Sequence, residues 1–329
     1  MKWKVYLFVI AVSCFMFKGK TSSSEIIKLG MLPTQRSDWG KTFEQMNSEL
    51  IEKSDGTLQF QFYFGRDEKE LINLLESKQI DAVSVSAAGL GQIIPEIFIF
   101  NLPLMFSTYE EFDYIRDTLT QHFSNLLDSK GFTILGWGDL GFTYPFSKEP
   151  IKTQTDLQRT KLWAWDIDPI AKAFATGSGR EPVLLPIQSV LSSLSKGDIQ
   201  TVYGPPLACI VYQWHTEIRY MTDLRVAVGL GATIIQKSRI ETISSDNERL
   251  LKNIAKKYHE QLVVKIRRRN EESVDVLKEQ GIEIISVPHQ ERQKWNQVAM
   301  KVQDQFIDRL YEKELLDKVK SLLEEYRRK

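Results

Sequence analysis

Four histidines, His122, His215, His259 and His289, are the first side chains to test for chemistry, because imidazole titrates near neutrality and ligates metals. None stands at metal-ligand spacing from another His, Cys or carboxylate, and neither H-E-x-x-H nor C-x-x-C occurs. No G-x-S-x-G elbow or P-loop is present. Gly177-Ser-Gly179 joins a helix to a strand, the reverse of the order a phosphate cradle requires. The carboxylates show no spacing that marks an acid–base pair. The chain therefore reads as a non-enzyme, with no metal and no cofactor expected. What remains is aromatic. Trp163 and Trp165 stand two apart on a predicted strand and share one face. Each indole can bury roughly 150–250 Å², so these rings either grip an apolar solute or fill a core.

The elements that position these residues alternate between strand and helix, which predicts an α/β fold. Strands are expected at 26–30, 58–64, 80–84, from 132 onward, 161–165, 183–185, 199–203, 227–236 and 282–286. Helices are expected at 39–53, 67–77, 110–130, 169–175, 188–195, 246–279, 290–310 and 312–327. One internal match stands out. Leu75-Glu-Ser-Lys-Gln-Ile80-Asp-Ala-Val83 parallels Leu194-Ser-Lys-Gly-Asp-Ile199-Gln-Thr-Val202 with the same apolar spacing. Small or polar residues follow each strand: Ser84, Ser86 and Ala87 in one, Gly204, Pro205 and Pro206 in the other. Open α/β sheets bind ligands beyond the carboxyl ends of their strands. Two such units predict two lobes facing one cleft.

Composition narrows the partners. The chain carries 43 basic and 43 acidic residues among 329, so no global charge draws it to nucleic acid or a membrane surface. The run Arg267-Arg268-Arg269 is read as a solvated helix face. Met1-Lys-Trp-Lys4 is a basic n-region, and Val5 to Phe17 is an apolar run of 13 residues before polar Lys18 to Ser24. That run suits an export signal and is short of the roughly 20 residues of a spanning helix. Ala11-Val-Ser-Cys14 loosely resembles a lipoprotein box, making Cys14 a candidate lipidation site beside plain cleavage near residues 20–25. Cys209, the other cysteine, reads as a small buried apolar residue. The expected location is periplasmic or otherwise extracytoplasmic.

Five segments in order resemble the DctP-type substrate-binding proteins of tripartite ATP-independent periplasmic (TRAP) transporters. They are Phe98-Ile-Phe-Asn-Leu-Pro-Leu-Met-Phe106, Trp137-Gly-Asp-Leu-Gly-Phe142, Pro150-Ile-Lys-Thr-Gln-Thr-Asp-Leu157, Pro182-Val-Leu-Leu-Pro186 and Gly197-Asp-Ile199. The resemblance implies a two-lobed periplasmic-binding-protein clamshell. Its lobes would be joined by hinge strands near 132–144 and 225–236, and a long helix from about Asp246 would brace both. The implied organisation is a signal peptide at 1–24, lobe I at 25–136 and lobe II at 137–231. Residues 232–265 would return to lobe I, and the helices of 266–329 would pack on lobe II. The implied function is delivery of a small molecule to membrane permease subunits after hinge closure. A ligand-sensing module and a carrier working with a tetratricopeptide-repeat partner are the alternatives. The helices from Gln290 offer a surface for a homodimer.

The chain departs from the family pattern where the resemblance implies a carboxylate clamp. An arginine is expected at the end of "L-K-G-x-K-I-R", where Leu157-Gln-Arg-Thr-Lys161-Leu162-Trp163 stands instead. A second is expected after "G-F", where Gly141-Phe142 is followed by Thr143. The family's asparagine after "I-D-G-x-x" becomes Gly204, and the aspartate of that motif becomes Gln200. A bidentate guanidinium suits carboxylate geometry, and a carboxylate buried without one costs several kcal/mol. The expected ligand is accordingly neutral or largely apolar, with a quaternary ammonium as a cation–π variant. Its expected contacts are Trp163, Phe142, Thr143, Tyr144, Tyr203 and Gly204, with Trp165. Trp39 and Glu70 would reach it from the other lobe, and Arg180 is a further polar candidate.

Overall fold

The computed structural model describes residues 24–328. The segment read as an export signal, with Cys14, lies outside them apart from Ser24. Strand β1 (Glu25–Met31) leads to helix α1 (Asp38–Lys53), which Ser37 starts by accepting the Gly40 N–H at 3.0 Å. Trp39, Phe43, Met46 and Leu50 recur on the buried face of that helix at helical spacing. Strand β2 (Leu58–Tyr63), helix α2 (Glu68–Glu76), strand β3 (Ala82–Ser86) and short helix α3 (Ala87–Leu90) follow. A 3₁₀ segment, Pro95–Asn101, precedes α4 (Tyr109–Ser129). The 3₁₀ segment and the residues after it bury Ile97, Phe98, Ile99, Phe100, Leu102 and Phe106 in the first lobe. From Ile97 to Phe106 that stretch is apolar except at Asn101, so periodicity could not assign it an element.

The long strand β4 (Phe132–Ser147) then crosses into the second lobe. There α5 (Gln154–Gln158), β5 (Trp163–Trp165), α6 (Pro169–Gly177), β6 (Val183–Leu185), α7 (Val190–Lys196), β7 (Thr201–Gly204), α8 (Pro206–Val211) and β8 (Tyr220–Asp223) are laid down. Strand β9 (Ala227–Gln236) returns to the first lobe, followed by α9 (Lys237–Ile240). Helix α10 (Ser245–Glu279), β10 (Glu283–Ser286), α11 (His289–Gln305) and α12 (Lys313–Arg328) complete the chain.

The sheet order explains the two lobes. In the first, β2, β1 and β3 lie parallel, and β9 pairs antiparallel with β3 and with residues 132–143 of β4. In the second, Tyr144–Ser147 of the same β4 pair antiparallel with β7, Phe146 and Ser147 pair with β8, and β10 lies parallel to β8. Strands β5 and β6 form a parallel pair joined to β7 by the Leu162–Thr201 bridge. Strands β4 and β9 thus run between the lobes, as expected of hinge strands. β4 is irregular at Ile134/Gly136 and Asp139/Gly141, and such bulges bend a strand and raise its twist. Gly141 sits at φ +93°, and a Cβ there would lie 2.4 Å from the Asn270 amide nitrogen. Only glycine fits that corner.

Helix α10 braces both lobes. Its 35 residues extend roughly 50 Å. Asn270 accepts from Leu207 N–H of α8 and donates to the Leu140 carbonyl of β4, each at 3.0 Å. The arginine run splits by its angular position on this helix. Arg268 is exposed and lies 3.6 Å from Glu272, and Arg269 pairs with Glu272 and Asp38 at 2.9 and 3.2 Å. Arg267 instead points inward, 2.6 Å from both Asp113 and fully buried Asp139, with its guanidinium 4.2 Å from the Tyr109 ring centre. A solvated face therefore describes Arg268 and not Arg267. Three consecutive helical residues point about 100° apart, so they cannot share one environment.

The last helix corrects the expected organisation. Helix α11 packs on α6 and α5 of lobe II, whereas α12 packs on α4 of lobe I. Leu315, Leu316, Val319 and Leu323 join the core that holds Ile115, Leu119 and Phe123. Arg327 anchors the end by donating to Glu111 at 2.8 Å and to the Met105 carbonyl at 2.9 Å. Both helices are amphipathic, and amphipathicity alone does not say which lobe they cover.

Candidate ligand-binding site

A cavity of about 230 Å³ lies between the lobes. Lobe I contributes Trp39 from α1, Glu68 from α2, and Ser84 and Ser86 from the end of β3. Lobe II contributes Trp165 from β5, Tyr203 and Gly204 from the end of β7, and Tyr212 and Trp214 beyond α8. The two helix–turn–strand units matched in the sequence thus end at one cavity, since β3 and β7 are their strands. Among the described residues, the lining holds no Lys, Arg or His, but three carboxyls: Asp38, Glu68 and Asp168. Asp38 is held by Lys265 and Arg269 at 3.1 and 3.2 Å. The other two are buried without a cation.

Glu68 is 2% exposed. Ser86 N–H donates to its Oε1 and Ser86 hydroxyl to its Oε2, both at 2.7 Å. Burial outweighs these bonds and pushes the carboxyl up to about 7, because desolvation disfavours the charged form. Asp168 caps α6 through the N–H groups of Ile170 and Ala171 at 3.1 and 2.9 Å. Tyr203 hydroxyl donates to its other oxygen at 3.3 Å and accepts from Trp165 N–H at 3.3 Å. Burial raises this carboxyl too. Four buried polar atoms on the lining have no hydrogen-bond partner within the described chain: Ser84 Oγ, Asn101 Oδ1, and the Nε1 of Trp165 and Trp214. Buried donors and acceptors are almost always satisfied in native proteins, so these four mark where a ligand's polar groups would sit.

The DctP family model, described as bacterial extracellular solute-binding protein family 7, matches residues 29–310. The chain belongs to this family. The chain is 22% identical over 213 residues to the uncharacterized protein YiiZ of Salmonella typhimurium, covering 63% of this chain and 64% of that relative. The chain thus aligns with somewhat under two thirds of that curated relative's length. The fold is that of TRAP periplasmic solute-binding proteins. It superposes at TM-score 0.85 and 20% identity on the sugar acid binding protein DctPAm of Advenella mimigardefordensis in complex with galactonate, covering 92% of this chain and 98% of that one. It superposes at TM-score 0.84 and 14% identity on DctP7, a Bordetella pertussis extracytoplasmic solute receptor binding pyroglutamic acid, covering 91% and 99%.

In this DctP-family protein the sequence-derived site residues divide. Trp163, Thr143, Tyr203, Gly204, Trp39 and Trp165 all line the cavity. Trp163 is nonetheless largely a wall residue. It is 2% exposed, donates Nε1–H to the Leu185 carbonyl at 2.9 Å, stacks on Tyr203 at 5.0 Å and meets Trp214 edge-on at 5.6 Å. Phe142 lies off the lining, packed on Tyr109 at 4.6 Å beneath the Arg225 guanidinium at 4.7 Å. Tyr144 is also off it, its hydroxyl accepting from Arg225 at 3.3 Å. Along β4, Phe142 and Tyr144 point to the face opposite Thr143, which the alternation of a strand requires. Glu70 is exposed, 3.4 Å from Arg66, and Arg180 is absent from the lining. The carboxyl that faces the cavity from α2 is Glu68, two residues earlier. Sequence reading missed Glu68, Asp168, Asn101, Tyr212 and Trp214. An Asp before Pro169 is a signal for a helix cap that could have found Asp168, but its second role toward Tyr203 is a tertiary contact.

Proposed function

We propose that this DctP-family protein captures a small solute without negative charge between its lobes and delivers it to the permease subunits of a TRAP-type secondary transporter. The observation that carries the ligand class is the absence of any Lys, Arg or His among the described lining residues, beside two buried carboxyls. An acid entering that cavity would lose its hydration without gaining a counter-charge, at a cost of several kcal/mol. Aromatic surface from Trp39, Trp165, Trp214 and Tyr203 offers compensation only to apolar or cationic groups. The relatives solved with galactonate and pyroglutamic acid share the backbone arrangement at 20% and 14% identity, and the lining is where ligand choice resides. The resemblance places arginine at 143 and 163, and threonine and tryptophan stand there instead. The family's description as extracellular and the basic–apolar start of the chain support delivery outside the cytoplasm.

Native mass spectrometry of protein purified from its own host, with identification of the released molecule, tests this reading. An uncharged or cationic compound with apolar surface is expected. Galactonate and pyroglutamate should leave the melting temperature unchanged in a parallel thermal-shift series. Tight binding of either acid, abolished by Trp163→Ala, would overturn it.

A further inference from the structure

A second cavity, of about 110 Å³, adjoins the interlobe one and is lined mostly by lobe II, with Asn101 and Pro103 of lobe I and Ala227 to Gly229 of β9. The two share six lining residues: Asn101, Thr143, Trp163, Asp168, Tyr203 and Gly229. Beyond that shared wall the inner compartment is apolar, with Leu157, Ile170, Phe174 and Val202 among its lining and Trp295 of α11 also present. Native cores hold few voids larger than a water molecule, and unfilled ones are destabilising. An apolar cavity of about 150 Å³ stays dry and accepts a benzene-sized guest. The inner compartment is of that order and shares part of its wall with the outer one.

The shared wall is itself polar and held in place. Asp168 is fixed by α6 and Tyr203, Thr143 bonds both ways with Ala227 at 3.2 and 3.3 Å, and Asn101 presents its unpartnered oxygen. On the outer side, Trp165 and Trp214 present N–H groups without acceptors, and Ser84 a hydroxyl without a partner. The molecule that satisfies this layout has an uncharged group with both donor and acceptor character, and an apolar chain beside it.

We infer that the ligand is amphipathic, its uncharged polar head lying in the interlobe cavity and an alkyl or aryl tail passing Asn101 and Tyr203 into the inner compartment. This rests on the reading of the interlobe cavity as the solute site and adds the shape and class of the solute. Primary amides are suitable probes, because their carbonyl answers the indole N–H groups and their amino group answers Asn101.

The test is isothermal titration of the protein with hexanamide, octanamide and decanamide. Each buried methylene is worth about fourfold in affinity, so affinity should climb along the series. Ala171→Phe fills the inner compartment alone, since Ala171 lines only that one, and should flatten the climb while sparing hexanamide. Ala208→Phe fills the outer cavity alone and should abolish all binding. Phe174→Ala added to Ala171→Phe reopens the inner compartment and should restore the climb, which guards against a misfolded Ala171→Phe chain. A climb that survives Ala171→Phe, or its absence in the native chain, overturns the tail site and leaves the outer site standing. Failure of every amide to bind the native chain overturns both.

Discussion

Glu68 keeps its proton to about pH 7 because the cavity wall removes its hydration and offers no cation in return. The consequence for stability follows from linkage. Between about 4.5 and 7 the unfolded chain has lost this proton and the folded chain retains it. Stability from this group is therefore full below 4.5 and drains away as pH rises to 7, by on the order of 3 kcal/mol. Glu68→Gln preserves shape and removes the titration. Thermal denaturation should show this variant about as stable as the native chain at pH 4 and more stable than it at pH 8. A difference independent of pH would mean Glu68 ionises normally. The same residue shows where sequence reading ends. Asp67 caps α2 by accepting from Lys69 and Glu70, and that cap turns Glu68 toward Ser86 and Glu70 toward water. The spacing of Leu71, Leu74 and Leu75 marks the apolar face of this helix, yet the partner that makes Glu68 a cavity residue lies 18 positions away.

At the scale of elements, α10 carries the opposite titration and the most consequential ion pair. His259 is buried, its Nδ1 donating to the Ala255 carbonyl and its Nε2 accepting from Thr233 of β9, both at 2.7 Å. Burial lowers it to about 4. The unfolded chain takes up this proton below about 6.5, so stability from a neutral His259 is full above that value and lost as pH falls toward 4. This slope opposes that of Glu68 across their common window of about 4.5 to 6.5. Their joint contribution there is nearly flat, and Glu68→Gln should unmask a loss of melting temperature on acidification that a second change, His259→Gln, removes. Arg267 fixes the same helix to β4. Arg267→Met leaves Asp139 buried without its partner and should cost about 3–5 kcal/mol in chemical denaturation. Arg268→Ala should stay within about 0.5 kcal/mol. Equal effects would mean the run is one solvated face after all. The elements themselves were legible: strand β9 falls on the expected residues, and α10 differs by one at its start. The side-chain directions that separate Arg267 from Arg268, or Thr143 from Phe142, depend on neighbours that no local pattern names.

For the whole molecule, the decisive question is how two lobes joined by strands behave as one folding unit. The chain crosses from lobe I to lobe II along β4, returns along β9, and after α10 and α11 ends back on lobe I through α12. One core cluster accordingly contains Phe100 and Phe123 of lobe I, Ile170 and Val302 from the lobe II helices α6 and α11, and Leu316 and Val319 from α12. A core shared in this way couples the lobes, whereas lobes with separate cores would melt separately. Heat denaturation followed by calorimetry should therefore give a single transition whose calorimetric and van't Hoff enthalpies agree. Leu316→Ala should lower its midpoint without splitting it, at a cost of about 2–5 kcal/mol, since Leu316 is 1% exposed against α4. Were α12 merely an appendage of lobe II, the same substitution would split the transition and leave the lobe I component in place. A single transition also suits a clamp. The solute capture proposed above would need lobes that stay intact while the strands between them flex, and a core shared by both lobes would keep both walls folded whether or not a solute is bound.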